Sequence, residues 1–220
     1  MSKDVVWVVA AGIGAYLVGS IPFGVIFARL KGVNLREVGS GNIGATNVAR
    51  ALGRGWGVLV FALDAAKGAG PVLFGRFALA NWVGGSGYLF GAVCAGAAVV
   101  GHMFPLYLRL RGGKGVATGA GATAALLPLP LAVAAVTWLV ALLIWRIVSV
   151  ASISSAVAFI AAFFAIGPAP QFSPQILPVT VYALVLSALV ILRHKSNIRR
   201  LLQGKEPRIG EKPASKASSG

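Results

Sequence analysis

Polar residues in this chain fall into short intervals between long apolar runs. The runs are Val5–Leu30, Trp56–Phe74, Gly84–Leu108, Gly115–Leu127, Leu131–Trp145, Val150–Ile166 and Gln175–Leu192. Several approach the ~20 residues that a helix needs to cross a bilayer, and they are too long and too apolar for strands. A helix is predicted at each. Gly115–Leu127 is the short one: its thirteen residues rise only about 20 Å as a helix against a hydrocarbon core of roughly 30 Å, so it either spans a thinned region or re-enters. Small residues, as in Gly91–Ala98 and Gly119-Ala120-Gly121-Ala122, suit helices whose backbones touch in lipid.

Composition agrees with a polytopic, all-α membrane protein. The chain is 57% hydrophobic and 11% charged, against about 25% charged in an ordinary soluble domain. Its mean hydropathy is +0.83. Lys and Arg number 20 against 5 Asp and Glu, and most of the excess lies in the short intervals and the tail, where it sets orientation. No basic surface interleaved with aromatics points to a nucleic acid partner. The basic segments Arg29–Arg54, Arg109–Lys114 and the tail from Arg193 are expected to face the cytoplasm, so an even number of spans separates each pair. The total is about seven if every run crosses and five if two do not; Arg146 favours seven, with the N-terminus outside and the C-terminus cytoplasmic. Arg76 alone fits this scheme badly. Met1–Ala15 lacks the charge pattern of a signal peptide and continues apolar to Leu30, so it is expected to stay as the first span. Residues 1–206 are expected to form a single integral-membrane domain and 207–220 a disordered basic tail. There is no internal repeat, and Cys94, the only cysteine, reads as a packing residue.

The candidate chemistry lies in the polar intervals. Gly39–Arg50 packs glycines, Ser40, Asn42, Thr46, Asn47 and Arg50 into one segment: exposed amides, short hydrogen-bonding arms and a guanidinium fork, all suited to phosphate. It also matches G-x-G-x-x-G, but the dinucleotide fingerprint requires a preceding strand, and here an apolar helix precedes it. The second segment, Gly101-His102-Met103-Phe104-Pro105 through Gly112-Gly113-Lys114-Gly115, sets a lysine in a glycine bracket without P-loop spacing. It offers a seat for a phosphate or a developing oxyanion. The third, Arg193-His194-Lys195-Ser196-Asn197 to Glu206, leaves the last span; alone it would be a juxtamembrane basic patch. Asp64 and Lys67, three apart on one helix, can neutralise each other inside the membrane. No cluster has metal-ligand spacing, and no Ser–His–Asp set or cysteine nucleophile is suggested.

These segments together resemble the bacterial membrane glycerol-3-phosphate acyltransferases that use acyl phosphate as donor. The resemblance rests on Gly39–Arg50, on Gly101-His102-x-Phe104-Pro105 through Gly115, and on His194-x-x-Asn197-Ile198-x-Arg200-Leu201 with Gly204 and Glu206. Lesser matches are Gly19–Phe23, Asp64-x-x-Lys67-Gly68 and the serines near Ser149 and Ser152. It implies acyl transfer from acyl phosphate to the 1-hydroxyl of sn-glycerol 3-phosphate, giving lysophosphatidate and phosphate, an early step of phospholipid synthesis. It implies a multi-pass protein of the bacterial inner membrane, with the active site at the cytoplasmic face and no cofactor or metal. On this reading Lys114, His194 and Asn197 are catalytic, and Ser40, Asn42, Thr46, Arg50, Gly112, Gly113 and Ser152 bind substrate. Arg50, Lys114, His194 and Asn197 would hold glycerol 3-phosphate; Ser40, Asn42, Thr46 and the Gly112 and Gly113 amides would hold the acyl phosphate head. The alternative is a small transporter or an anionic-lipid-binding protein.

Overall fold

The computed structural model describes residues 3–210, and all regular secondary structure among them is helical. The first span is α1 (Lys3–Gly19) and α2 (Phe23–Leu30), followed by a short α3 (Ala45–Leu52). Next, α4 (Arg54–Leu73) runs through a π-helical stretch, Phe74–Leu79, into α5 (Ala80–Val83). Then come α6 (Gly87–Met103), α7 (Val116–Leu126), α8 (Pro128–Trp145), α9 (Val148–Ile166), α10 (Leu177–Arg193) and α11 (Lys195–Leu202). Among the described residues, five stretches are long and apolar enough to cross a bilayer: Val5–Leu30, Arg54–Val83, Gly87–Leu108, Pro128–Trp145 and Val148–Ile166. A sixth, Leu177–Arg193, continues through a 50° bend into Lys195–Leu202. α7, with 11 residues, rises only about 16 Å.

Prolines set the breaks, and cations from neighbouring helices answer them. Pro22 lacks an N–H and disfavours helical backbone at Ile21, so the first span breaks there. The Ile21 carbonyl at that break accepts a 2.6 Å hydrogen bond from Lys67 Nζ on α4. Pro128 and Pro130 likewise stop α7 and supply no N–H to its last carbonyls. Arg76 Nη1 donates instead, to Ala125 O at 2.9 Å and Leu126 O at 3.1 Å, with its guanidinium 5.2 Å from the Tyr88 ring centre. The cation that the charge pattern left misplaced is therefore a cap on the negative end of a truncated helix.

Close crossings explain part of the glycine usage. Between α4 and α7, a Cβ at Gly121 would overlap the Ala65 backbone, and one at Gly68 would overlap the Thr118 carbonyl. The main core, including Val99, Met103, Phe163, Val179 and Tyr182, draws most on α6, α9 and α10, with Ala15, Val72, Ala122, Leu126 and Ala134 from α1, α4, α7 and α8. Large apolar residues of α8 such as Val136, Leu143 and Ile144 face outward, as lipid contact requires. At the C-terminal end, Ile209 N donates to Arg146 O at 2.7 Å, and Arg146 Nη2 donates to Ile209 O at 3.0 Å. Of the tail expected to be disordered, 207–210 thus runs against the α8–α9 turn, and 211–220 lies outside the described residues.

Candidate active site

The segment Gly39–Arg50, read as one loop, is a loop only as far as Gly44; Ala45 begins α3, which carries Thr46 and Arg50. Asn47 organises the whole segment. Its Oδ1 accepts from Ser40 N at 3.0 Å, while its Nδ2 donates to Leu35 O at 3.1 Å and Val38 O at 3.0 Å. The side chain is buried, and its amide is committed to the backbone of the segment. Asn42 Oδ1 accepts from Gly44 N at 2.9 Å, closing a turn just before α3. The result aims the first turn of α3, with its unpaired amides, at the space where Ser40, Asn42, Thr46 and Arg50 converge.

Lys114 reaches that space from the opposite side, and its ammonium donates to Asn197 Oδ1 on α11. Asn197 Nδ2 in turn donates to Glu206 Oε1 at 2.5 Å. The same carboxylate accepts from Ser149 Oγ at 2.7 Å and from Arg200 Nε at 2.7 Å. Burial alone would raise the Glu206 carboxyl, but its bonds from Asn197, Ser149 and Arg200, with the Arg200 charge, outweigh it and hold the group below its ordinary value. At Lys114 burial prevails instead; Glu206 partly offsets it, Arg200, Arg50 and Arg193 add to it, and the ammonium is brought down to about 8. His194 caps α10, its Nδ1 donating to Val190 O at 2.7 Å, which leaves the Nε2 lone pair available. Burial and then the Lys114 charge lower its imidazole to about 4, although the Val190 bond and Glu206 oppose them, so it is neutral at ordinary pH.

One cavity of about 320 Å³ joins these groups. Its polar end is lined by Ser40, Asn42, Thr46, Arg50, Lys114, His194 and Asn197; the rest runs between α4, α7, α8, α9 and α10 past Phe61, Leu131, Trp138, Phe159 and Leu186. Ser152 lies on its wall, accepting from Trp138 Nε1 at 3.3 Å and donating to Val148 O at 2.9 Å. Phe61 is 47% exposed on the outer face of α4 and also lines the cavity, so the apolar end borders the lipid-facing surface.

Two expected ligands of the cavity do not reach it. Gly112 and Gly113 are absent from its walls, and their amides donate to Met103 O and His102 O, each at 3.1 Å. A backbone amide has one hydrogen to give, so neither is a phosphate seat. Their carbonyls accept from Arg193, whose Nε and Nη2 lie 3.1 and 2.8 Å from Gly113 O and whose Nη2 lies 3.2 Å from Gly112 O. The glycines shape the loop that presents Lys114. Conversely, Glu206 carries more of the site than the sequence reading gave it; a lone acid in a strongly basic segment was the available signal.

A family model described as glycerol-3-phosphate acyltransferase matches residues 9–204. The chain belongs to the glycerol-3-phosphate acyltransferase family. A glycerol-3-phosphate acyltransferase from Anaeromyxobacter sp. (strain Fw109-5) is 47% identical, over 95% of this chain and 99% of that protein. One from Aquifex aeolicus is 45% identical, over 89% of this chain and 95% of that protein. The crystal structure of PlsY (YgiH), an integral membrane glycerol 3-phosphate acyltransferase, in its glycerol 3-phosphate form superposes with a TM-score of 0.82 at 42% identity, covering 92% of this chain and 96% of that one. Its lysophosphatidic acid form gives 0.79 at 41% identity, over 92% and 95%. The protein is a multi-pass membrane acyltransferase of this family.

Proposed function

We propose that the protein transfers a fatty acyl group from acyl phosphate to the 1-hydroxyl of sn-glycerol 3-phosphate, releasing lysophosphatidate and inorganic phosphate. The observation that carries this reading is a single cavity with a cationic, amide-rich end and an apolar end that borders the lipid-facing surface. A substrate pair with two phosphates and one acyl chain matches that division. Arg50, Lys114 and Asn197 hold glycerol 3-phosphate; Ser40, Asn42, Thr46 and the first amides of α3 receive the phosphate of the donor. The acyl chain runs along Phe61, Leu131, Trp138, Phe159 and Leu186.

The chemistry asks little of a base. A mixed anhydride already carries a good leaving group, so alignment and stabilisation of the developing oxyanion supply most of the acceleration. A substrate phosphate accepts the hydrogen bond of the attacking 1-hydroxyl and takes its proton, while the neutral His194 offers its Nε2 lone pair to the neighbouring 2-hydroxyl and so orients the acceptor. Ser152, whose hydroxyl is directed to Val148 O, acts as part of the wall, without a base to make it a nucleophile.

The proposed setting is the bacterial inner membrane, with seven crossings, the N-terminus outside and the site at the cytoplasmic face. In support, Arg36 Nη2 donates to Arg111 O and Arg193 donates to Gly112 and Gly113, so all three basic segments meet around one cavity. Segments in contact share a face, and the positive-inside rule assigns that face to the cytoplasm. Purified protein in detergent is expected to release phosphate from a long-chain acyl phosphate only when glycerol 3-phosphate is added. A transporter or lipid-binding protein would leave both compounds unchanged.

A further inference from the structure

Asp64, Lys67 and His102 form a buried polar cluster to which the proposed acyl transfer assigns no role, although Asp64 and His102 lie on the wall of the same cavity. Their exposures are 2%, 5% and 4%. Lys67 Nζ lies 2.8 Å from Asp64 Oδ1, and His102 Nδ1 faces the same carboxylate oxygen at 3.8 Å without a hydrogen-bond partner. An apolar residue at 102 would avoid the cost of burying an incompletely satisfied imidazole, so this histidine calls for a use. Its surroundings supply one. The Gly113 α-carbon lies against the imidazole so closely that a Cβ there would overlap Nε2, and the Gly113 amide donates to His102 O at 3.1 Å. From the other side the Arg193 guanidinium grips the Gly112 and Gly113 carbonyls while stacking 5.2 Å from the Phe104 ring centre. Lys114 is the next residue, and after it Gly115, at φ +82°, has Met103 where a Cβ would go. The peptide carrying Lys114 is therefore fixed on both sides of the residue.

We propose that His102, seated by the Asp64–Lys67 pair, is a positioning residue for Lys114: with Arg193 it clamps Gly112-Gly113 so that the ammonium points into the cavity toward Asn197. This rests on the reading of Lys114 as a phosphate-holding group. Lys67 extends the support to the first span, because it also holds the Ile21 carbonyl at the Pro22 break. The cluster acts through the loop that carries Lys114.

The test is a double-mutant cycle on purified full-length protein, measuring kcat and KM for glycerol 3-phosphate with palmitoyl phosphate as donor. His102→Ala is expected to lower kcat/KM for glycerol 3-phosphate by about ten- to a hundredfold, the order expected for misplacing a binding group by an ångström. KM for palmitoyl phosphate should stay within about twofold, the size of an uncoupled change. In a Lys114→Ala background the same substitution should cost less than about twofold, because no ammonium remains to be positioned. Arg193→Lys, which keeps the charge but loses the fork, should show the same dependence on Lys114. If His102→Ala does not fold, His102→Gln takes its place in the cycle. Equal losses with and without Lys114, or unchanged kcat/KM in the single variants, would overturn the positioning role. No turnover by the unsubstituted protein would instead refute the acyl-transfer reading on which it rests.

Discussion

Lys114 gives the site a pH limit that can be worked out from its neighbours. An exposed lysine titrates near 10.4, but burial, with Arg200, Arg50 and Arg193 nearby and Glu206 partly offsetting them, brings this one to about 8. Only the ammonium form clamps a phosphate, so activity should be full below the folded value and fall as pH rises through it. The parameter to follow is kcat/KM for glycerol 3-phosphate, which reports the free enzyme. It should bend near pH 8 and then drop about tenfold per unit, reaching about a tenth of its plateau one unit above the bend. Glu206→Gln removes the one charge that favours the ammonium, so the bend should move to lower pH. Lys114→Arg stays charged throughout the range; it should be slow, because the loop is built for the narrower lysine, but its profile should lose the bend. The assay is continuous phosphate release in detergent from pH 6 to 10, with the stability of each variant checked over the range. A bend that persists in Lys114→Arg, or that moves to higher pH in Glu206→Gln, would refute the reasoning.

Arg50→Lys keeps a cation at the mouth of the α3 turn but loses the bidentate fork; losing a charged hydrogen bond of about 1.5–3 kcal/mol should reduce kcat/KM by about ten- to a hundredfold, measured by initial rates. Gly121→Ala forces a methyl against the Ala65 backbone, and overpacking of this kind costs about 1–3 kcal/mol, so the thermal midpoint in detergent should fall by about 2–10 °C. An unchanged midpoint would mean that α4 and α7 can separate freely. Single cysteines at Ser40, Arg111 and Ser196 in a Cys94→Ala background should resist an impermeant thiol reagent in whole cells and react in inverted vesicles; labelling of any one from outside would break the composite site.

The membrane architecture was legible because a long apolar run has few alternatives to a helix. The Asp64–Lys67 pair could be read as well, since two opposite charges three residues apart on a helix share a face. What escaped were features fixed by long-range contacts. α3 and α11 are eight-residue amphipathic helices inside polar segments, too short for a clear period. Arg76 looked misplaced until the carbonyls at the end of α7, left without donors by Pro128 and Pro130, were found beside it. Gly112 and Gly113 resembled a phosphate nest in the one-dimensional pattern, but a sequence cannot tell which carbonyl an amide has already taken. Lys114, Arg50, His194 and Asn197, which the polar segments brought to notice, line the same cavity. The proton affinities of Lys114 and His194 were not legible, because burial is the first cause of both shifts.

The acyl-phosphate reading is tested most directly by offering two donors at once. Purified protein is given glycerol 3-phosphate with equimolar palmitoyl phosphate and palmitoyl-CoA, the two acyl chains carrying different isotope labels, and the lysophosphatidate formed is weighed by mass spectrometry. On the acyl-phosphate reading the product carries the label of palmitoyl phosphate, with one phosphate released per molecule formed. Product carrying the label of palmitoyl-CoA would contradict it.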